Sequence, residues 1–378
     1  MKRVIQIIGI IVMMLLFSFP CAAAQGAEAP DWGSMSVQES MELLYAEQFS
    51  VDYYEGGYAL ITIVDSGRFL VVPETMPVPQ NLEQDIVVLQ KPIQNIYLVA
   101  TSAMDLFCAL DATSNISLSG TEASGWYVEK AREEMENGNI VYAGKYSAPD
   151  YELILSKGCD LAVESTMIYH TPEVKEKLEG FGIPVLVERS SYESHPLGRT
   201  EWLKLYAVLL DKEALAEELF AKQAASLERV LAEENTGKTV AFFYISSNGY
   251  VNVRKSNDYV SVMIELAGGK YIFDDLGDSD NALSTMNMQM EDFYARAFDA
   301  DYIIYNSTID AELYTLDELF AKSSLLKEFK AVADGHVYCT EKNLFQETMG
   351  LGTMIEDIHI MLTSETAPEE FTYMHKLN

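Results

Sequence analysis

Short apolar runs of two different periods succeed one another along this chain. Phe49–Tyr54 and Tyr58–Val64, split by Glu55-Gly56-Gly57, and Arg68–Val72 after Asp65-Ser66-Gly67, are rich in β-formers. Glycine-bearing short connections between such runs predict hairpins, and hence a small antiparallel meander ended by the proline-bearing stretch 73–79. From Ile86 the pattern changes. β-rich 95–100 precedes 102–110, where Met104, Phe107 and Cys108 fall at helical spacing; strand-like 140–143 precedes a helix over 150–157 with Pro149 in its first turn. A strand at 161–163, a helix at 172–180 closed by glycine and a strand at 183–188 follow. Strand and helix alternating at this spacing predict parallel βαβ units.

A single stripe (Ala216, Leu219, Phe220, Gln223, Leu227, Val230, Leu231) marks a long helix from Lys212 to about Glu233, with Asp211 as its cap and Asn235-Thr236-Gly237 as its stop. Such a rod spans about 33 Å, enough to carry the chain from one body to another. Alternation then restarts: strands at 239–245 and 250–254, a helix at 259–266, a strand at 270–273, a helix at 290–297, a strand at 302–305, a helix at 316–332, a strand at 336–340 and a last helix at 348–362. The fold class is therefore α/β: two Rossmann-like lobes, 85–211 and 237–378, joined by one long helix at 212–236, after a leader and β meander at 25–84.

The chain opens Met1-Lys2-Arg3, runs apolar from Val4 to Phe19, breaks at Pro20 and continues Ala22-Ala23-Ala24, the layout of a secretory signal peptide over 1–24. Cys21 offers lipidation as an alternative, although Phe19 and Pro20 stand where lipid-anchor sites carry small residues. The expectation is a chain secreted across the cytoplasmic membrane, at the cell surface or in the periplasm. Length beyond the leader calls for more than one hydrophobic core. A formal charge of −32, spread over the whole chain, repels nucleic acid and anionic lipid. Cys108, Cys159 and Cys339 are far apart in apolar surroundings and read as structural thiols, with neither disulfide nor zinc spacing.

Several stretches then carry a resemblance. Tyr97-Leu98-Val99-Ala100-Thr101-Ser102 is a strand ending in a Ser/Thr turn. Residues 151–160 form a Glu-helix-Asp-strand block, although Gly158-Cys159 stands where Lys-Pro is usual, and 290–304 repeats the block. The runs 177–185 and 196–202 add two more matches. In order and spacing these resemble the helical-backbone (class III) substrate-binding components of ATP-driven importers for iron complexes, haem and cobalamin. The resemblance implies two lobes bridged by a rigid helix, a metal-chelate or tetrapyrrole ligand between them, and an ABC permease with its ATPase as partner. It also implies that Glu152 and Glu291, one on each lobe's outer helix, dock onto arginines of that permease; a carboxylate favoured by a helix first turn is the plainer alternative.

Ligands of parallel α/β lobes meet the loops at the carboxyl ends of strands. Those loops supply Thr101, Ser102, Lys145, Tyr146, Tyr169, Tyr192, His195 and Arg199 from the first lobe, and Tyr250, Arg254, Asn306, Lys342 and Phe345 from the second. Aromatic faces would cover a planar ligand, and the cations would pair with its carboxylates or phosphate. With 22 tyrosines in the chain, several at strand ends are expected by chance, and Arg199 has an alternative as partner of Glu201 or Asp211. His170, His195, His336, His359 and His375 form no histidine-rich loop, which argues against capture of a free metal; axial ligation of haem iron stays open for His170 or His195. The run from Asp274 to Asp280 lacks the glycine and terminal glutamate of a calcium loop. No nucleophile elbow, zinc-protease motif, P-loop or dinucleotide fingerprint occurs. The sequence thus points to a monomeric binding protein for an iron chelate (siderophore or haem), with no cofactor of its own. A corrinoid is the alternative ligand, and an extracytoplasmic chelatase the alternative class.

Overall fold

The computed structural model describes residues 28–277, 284–364, 368 and 371–378. The expected leader with Cys21 lies outside the described residues, as do Asp278, Ser279 and Asp280. Among the described residues no helix is long and apolar enough to cross a membrane.

The chain begins with a five-stranded sheet in sequential order, β1 (Val37–Ser40), β2 (Phe49–Tyr54), β3 (Ala59–Ile63), β4 (Gly67–Val72) and β5 (Ile86–Gln90). The first four strands are antiparallel and β5 runs parallel to β4. The meander is thus larger than its sequence pattern suggests, and Ile86, expected to open the first lobe, belongs to it. Side chains alternate as a pleat requires. Val51, Ile61, Phe69 and Val71 join the first lobe's core, whereas Leu60, Leu70 and Val72 pack with Trp32 on the opposite face.

The first lobe follows: β6 (Ile96–Leu98), α1 (Thr101–Ala109), β7 (Ile116–Ser119), α2 (Glu129–Glu136), β8 (Val141–Tyr142), a hairpin of β9 (Gly144–Lys145) and β10 (Ala148–Pro149), α3 (Tyr151–Ser156), β11 (Leu161–Ser165), α4 (Pro172–Gly180) and β12 (Val185–Glu188). Its sheet is wholly parallel in the order β12-β11-β6-β7-β8. Pro149 does not start α3. It pairs with Gly144 in the hairpin, and Asp150 caps the helix by accepting from Leu153 N. Gly144 sits at φ +84° with Ala148 O only 2.3 Å from where a Cβ would lie, so no side chain fits that turn.

Two helices then occupy the middle of the molecule, α5 (Pro196–Leu210) and α6 (Glu213–Leu231). Asp211 does not cap α6. It ends α5 in the left-handed region at φ 56° and pairs with Lys91, leaving Lys212 at the α6 N-cap position. α6 places Ala216 in the first lobe's core and Phe220, Leu227 and Val230 in the second's.

The second lobe comprises β13 (Thr239–Ile245), β14 (Val251–Arg254), α7 (Tyr259–Leu266), β15 (Lys270–Tyr271), β16 (Thr285–Met288), α8 (Met290–Ala297), β17 (Tyr302–Tyr305), α9 (Leu316–Lys322), α10 (Lys330–Ala333), β18 (Val337–Thr340), α11 (Leu351–Thr363) and β19 (Met374–Lys376). β15, β13, β17 and β18 run parallel, while β14, β16 and β19 are antiparallel additions at the edges. The helix expected over 316–332 is broken. Ser323 leaves helical geometry at φ −159°, and Phe329 turns inward at 0% exposure.

α5 is buried along nearly its whole length despite carrying Arg199, Glu201 and Lys204. Glu201 accepts hydrogen bonds from the backbone N–H of Leu44, Tyr45 and Ala46 at 2.8–3.1 Å and pairs with Lys204 at 3.2 Å. Glu193, just before the helix, accepts from Glu47 N, Gln48 N and Trp202 Nε1. Together they fasten residues 44–48 to the first lobe. Gly198 lets that segment approach, since a Cβ there would lie 2.9 Å from Tyr45 O. Glu201→Ala should therefore cost roughly 3–5 kcal/mol, because three amides lose their acceptor and Lys204 is left with Glu217 and the Glu42 carbonyl alone. Gly198→Ala should cost about 1–3 kcal/mol by overpacking. Urea denaturation midpoints at constant m-value measure both.

Candidate cleft between the lobes

Each lobe has a point where successive parallel strands leave in opposite directions across the sheet, which opens a crevice at their carboxyl ends. In the first lobe it lies between β6 and β11, which lead into Thr101 and Ser102 at the start of α1 on one side and into residues 166–169 on the other. In the second it lies between β13 and β17, followed by Ser246–Tyr250 and by Asn306 and Ser307.

The rims touch. Gln346, in the loop after β18, accepts from Tyr127 N at 2.8 Å through Oε1 and donates to Gly125 O at 2.9 Å through Nε2. Thr348 donates to Ser102 O at 2.7 Å, its own carbonyl accepts from Thr200, and Met349 N donates to Asp105. Burial raises the Asp105 carboxyl to about 6, opposed by that bond from Met349.

The residues named from sequence divide by what holds them. Thr101 lies half-buried at the start of α1. Tyr146 is partly buried against the outer core of the first lobe. Lys145 is exposed, as are Tyr169 and Tyr250. Ser102 donates to Glu188 at 3.1 Å. Tyr192 is exposed, with the Arg189 guanidinium 4.3 Å from its ring centre.

Other expected contacts are engaged within the protein. His195 accepts from Leu197 N through Nδ1 and stacks on Tyr45 at 4.2 Å, and burial lowers its pKa. Asn306, almost wholly buried, accepts from Thr308 N and Oγ1. Lys342 donates to the Ser307 and Asp310 carbonyls and so braces the loop after β17. Arg199 pairs with neither Glu201 nor Asp211. It donates to Ser190 O and lies 4.1 Å from the Tyr259 ring centre. Arg254 reaches Asp258 at 3.5 Å and covers Phe345 at 4.7 Å, while Phe345 meets the edge of Tyr259. Arg199, Arg254 and Phe345 thus meet at a seam between α5 and α7, packed under the rims.

Sequence reasoning missed Tyr127 and Met167, exposed apolar side chains on loops after β7 and β11. β7 escaped notice because its run is only four residues with alternate serines. It also missed Glu164. That carboxyl is 0% exposed, and both its oxygens lack a hydrogen-bond partner among the described residues. Burial raises it to about 8. Cys108, Cys159 and Cys339 are free thiols that burial raises to about 12, about 11 and about 12; the first two are half-buried, less enclosed than expected.

Glu152 and Glu291 occupy the same place in the two lobes. Each is the second residue of its helix, α3 or α8, and each is exposed. The aspartate that follows each helix also repeats. Asp160 accepts from Gln94 N and Asn95 N ahead of β6, and Asp301 accepts from Thr239 N at the start of β13.

Two crevices set on paired parallel-sheet lobes define a solute-binding architecture. Residues 98–344 match the periplasmic binding protein family, and the chain belongs to it. An uncharacterized lipoprotein of Methanocaldococcus jannaschii is 27% identical over 88% of this chain and 81% of its own length. Among solved structures, a periplasmic haem-binding protein of Vibrio cholerae superposes with TM-score 0.57 at 16% identity, covering 70% of this chain and 98% of that one. A catecholate-siderophore binding protein of the same organism gives 0.55 at 15% identity, over 71% and 94%. The sheet of β1–β5 precedes the matched region.

Glu164 makes stability depend on pH. Its folded-state value of about 8 lies above the ordinary 4.5, so its contribution is complete below the unfolded value and is lost as pH rises through the folded one. Relative to Glu164→Gln, the wild-type chain should lose on the order of 1 kcal/mol per pH unit across that window. Urea titrations at a series of pH values measure the difference in slope.

Proposed function

We propose that this chain is an extracytoplasmic solute-binding protein that holds an iron chelate, a siderophore or haem, between its lobes and passes it to an ABC importer. The observation that carries the reading is the row of exposed apolar side chains on strand-end loops: Tyr127, Met167 and Tyr169 from one lobe, Tyr250 from the other. A large flat or chelated ligand needs such faces for contact area, and Lys145, exposed in the hairpin after β8, suits its anionic groups. Family membership supports a binding role over turnover, and the haem and siderophore ligands of the two V. cholerae proteins support an iron complex. The leader sequence supports export, with lipidation at Cys21 favoured by the lipoprotein relative. A corrinoid fits the same apolar faces and is the second ligand to try.

Haem, a ferric catecholate and a cobamide are each titrated into the mature chain, following absorbance and the fluorescence of Trp126, which sits beside Tyr127. One of the iron complexes should bind at one equivalent without being converted, and Tyr169→Ala with Tyr250→Ala should weaken it about tenfold or more, given about 1 kcal/mol or more for each anchoring ring. Tight binding of the cobamide alone would shift the assignment to corrinoids. Metal insertion or release with turnover would make the protein a chelatase.

Delivery is read from the paired Glu152 and Glu291. Two exposed carboxylates at equivalent helix starts, one per lobe, suit a two-point electrostatic dock that fixes register on a permease. Glu152→Lys and Glu291→Lys should leave ligand affinity unchanged and cut ligand-dependent ATPase stimulation of the reconstituted importer about tenfold or more, with the effect weakening at high salt.

A further inference from the structure

At the far edge of the second lobe, three segments bring three metal-ligating side chains together. Glu312 comes from the loop between β17 and α9, Glu341 is the first residue past β18, and His375 lies in β19, where it registers opposite Cys339. One ligand atom from each falls within 4.8 Å of the others. His375 is buried, and the two glutamates are half-buried.

The hydrogen bonds fix what the imidazole can do. Nε2 lies 2.7 Å from Leu313 O. A carbonyl only accepts, so Nε2 carries a proton and Nδ1 is the nitrogen left to offer a lone pair. That lone pair faces Glu341 Oε1 at 2.6 Å, and two acceptors that close need a proton or a cation between them. Glu312 brings a second carboxylate oxygen to within 4.8 Å of these two atoms. Glu312 Oε1 is buried with no hydrogen-bond partner among the described residues. Lys342, the adjacent cation, is committed to the Ser307 and Asp310 carbonyls. The ring is also held in plane by Tyr314, stacked at 5.0 Å and 12°. A histidine whose outer nitrogen is tied to a carbonyl while its inner one points at carboxylates is the arrangement that orients a metal ligand.

We propose that Glu312, Glu341 and His375 form a binding site for a first-row divalent cation, resident in the protein and separate from any transported chelate. One nitrogen and two carboxylate oxygens suit Zn²⁺ or Mn²⁺ better than Mg²⁺, and three protein ligands leave a coordination position for water. Tetrahedral coordination sets neighbouring ligand atoms about 3.3 Å apart. The Glu341–His375 contact opens slightly to admit the ion, and the other atoms draw in. The bound ion would tie β19 and the 308–315 loop to Glu341, which begins the loop that carries Phe345 and Gln346 to the seam and the rims.

The test uses the mature chain stripped with chelator. Zn²⁺ is titrated by calorimetry, and Co²⁺ serves as an absorbing substitute that reports nitrogen ligation and geometry. One equivalent should bind at micromolar or tighter affinity and raise the melting temperature, and Glu312→Gln and Glu341→Gln should each weaken it about tenfold or more. His375→Gln should remove the nitrogen signature from the Co²⁺ spectrum. Should that variant fail to fold, the half-buried Glu312 keeps the test decisive, because glutamine preserves its shape. No uptake at one equivalent would show that the triad holds only protons. Uptake unchanged in both glutamine variants would place the ion on surface acids. Either result overturns the proposal.

Discussion

The molecule is organised around a helix with no free side. α5 places Leu197 in the second lobe's core and its remaining apolar residues, Trp202 to Leu209, in the core that the first lobe shares with the β1–β5 sheet. A helix buried all round must satisfy its polar groups inside the protein, and here each one becomes a joint. Glu201 receives three amides of the 44–46 segment, Lys204 reaches Glu42 O, Thr200 meets Thr348, and Arg199 lies against Tyr259. Glu201 and Lys204 thus bind the N-terminal segment to the rod and Thr200 and Arg199 bind the second lobe, while the first lobe is held to it by apolar packing. α6 runs alongside and doubles the connection, which makes the crossing between lobes two helices thick.

The lobes repeat a device as well as a topology. In both, an aspartate placed between an outer helix and a parallel strand accepts amides where the lobe's first strand starts. The same short block therefore fixes sheet register and sets an exposed glutamate at the second position of the outer helix. Sheet register and the position of the exposed glutamate are thus set by one short block in each half.

Much of this was legible in the pattern of the chain. β13, α4, α7, α8 and β17 have the limits that their periodicity indicates, because each combines a clear period with a capping or turn residue. α5 was not legible as a helix. Apolar on every face and interrupted by Pro196, Gly198, Arg199, Glu201 and Lys204, it shows no amphipathic stripe, and the signal on which such reading depends is missing. β5 went unread as a strand and its residues were given to the first lobe, because a strand's sequence does not state its neighbour. In the cleft, strand-end position was readable but availability was not. Lys342, Asn306 and His195 stand on the right loops, yet carbonyl, amide and ring partners within the protein hold them. Those partners lie up to 150 residues away in sequence, as with Tyr45 beside His195. Glu164 gave no sign either, since an acidic residue within an apolar strand is ordinarily paired.

The contacts between the rims have a consequence for how such a protein can change its cargo. Gln346 and Thr348 grip the first lobe through Gly125 O, Tyr127 N and Ser102 O, main-chain groups that do not depend on the side chain, proline at 127 excepted. The exposed side chain of residue 127 can therefore vary without unfastening the two halves, whereas a Cβ at Gly125 would lie 2.9 Å from Thr121 Cγ2. Mutation can alter that stretch of the rim while the latch, made of main chain on one side, is inherited intact.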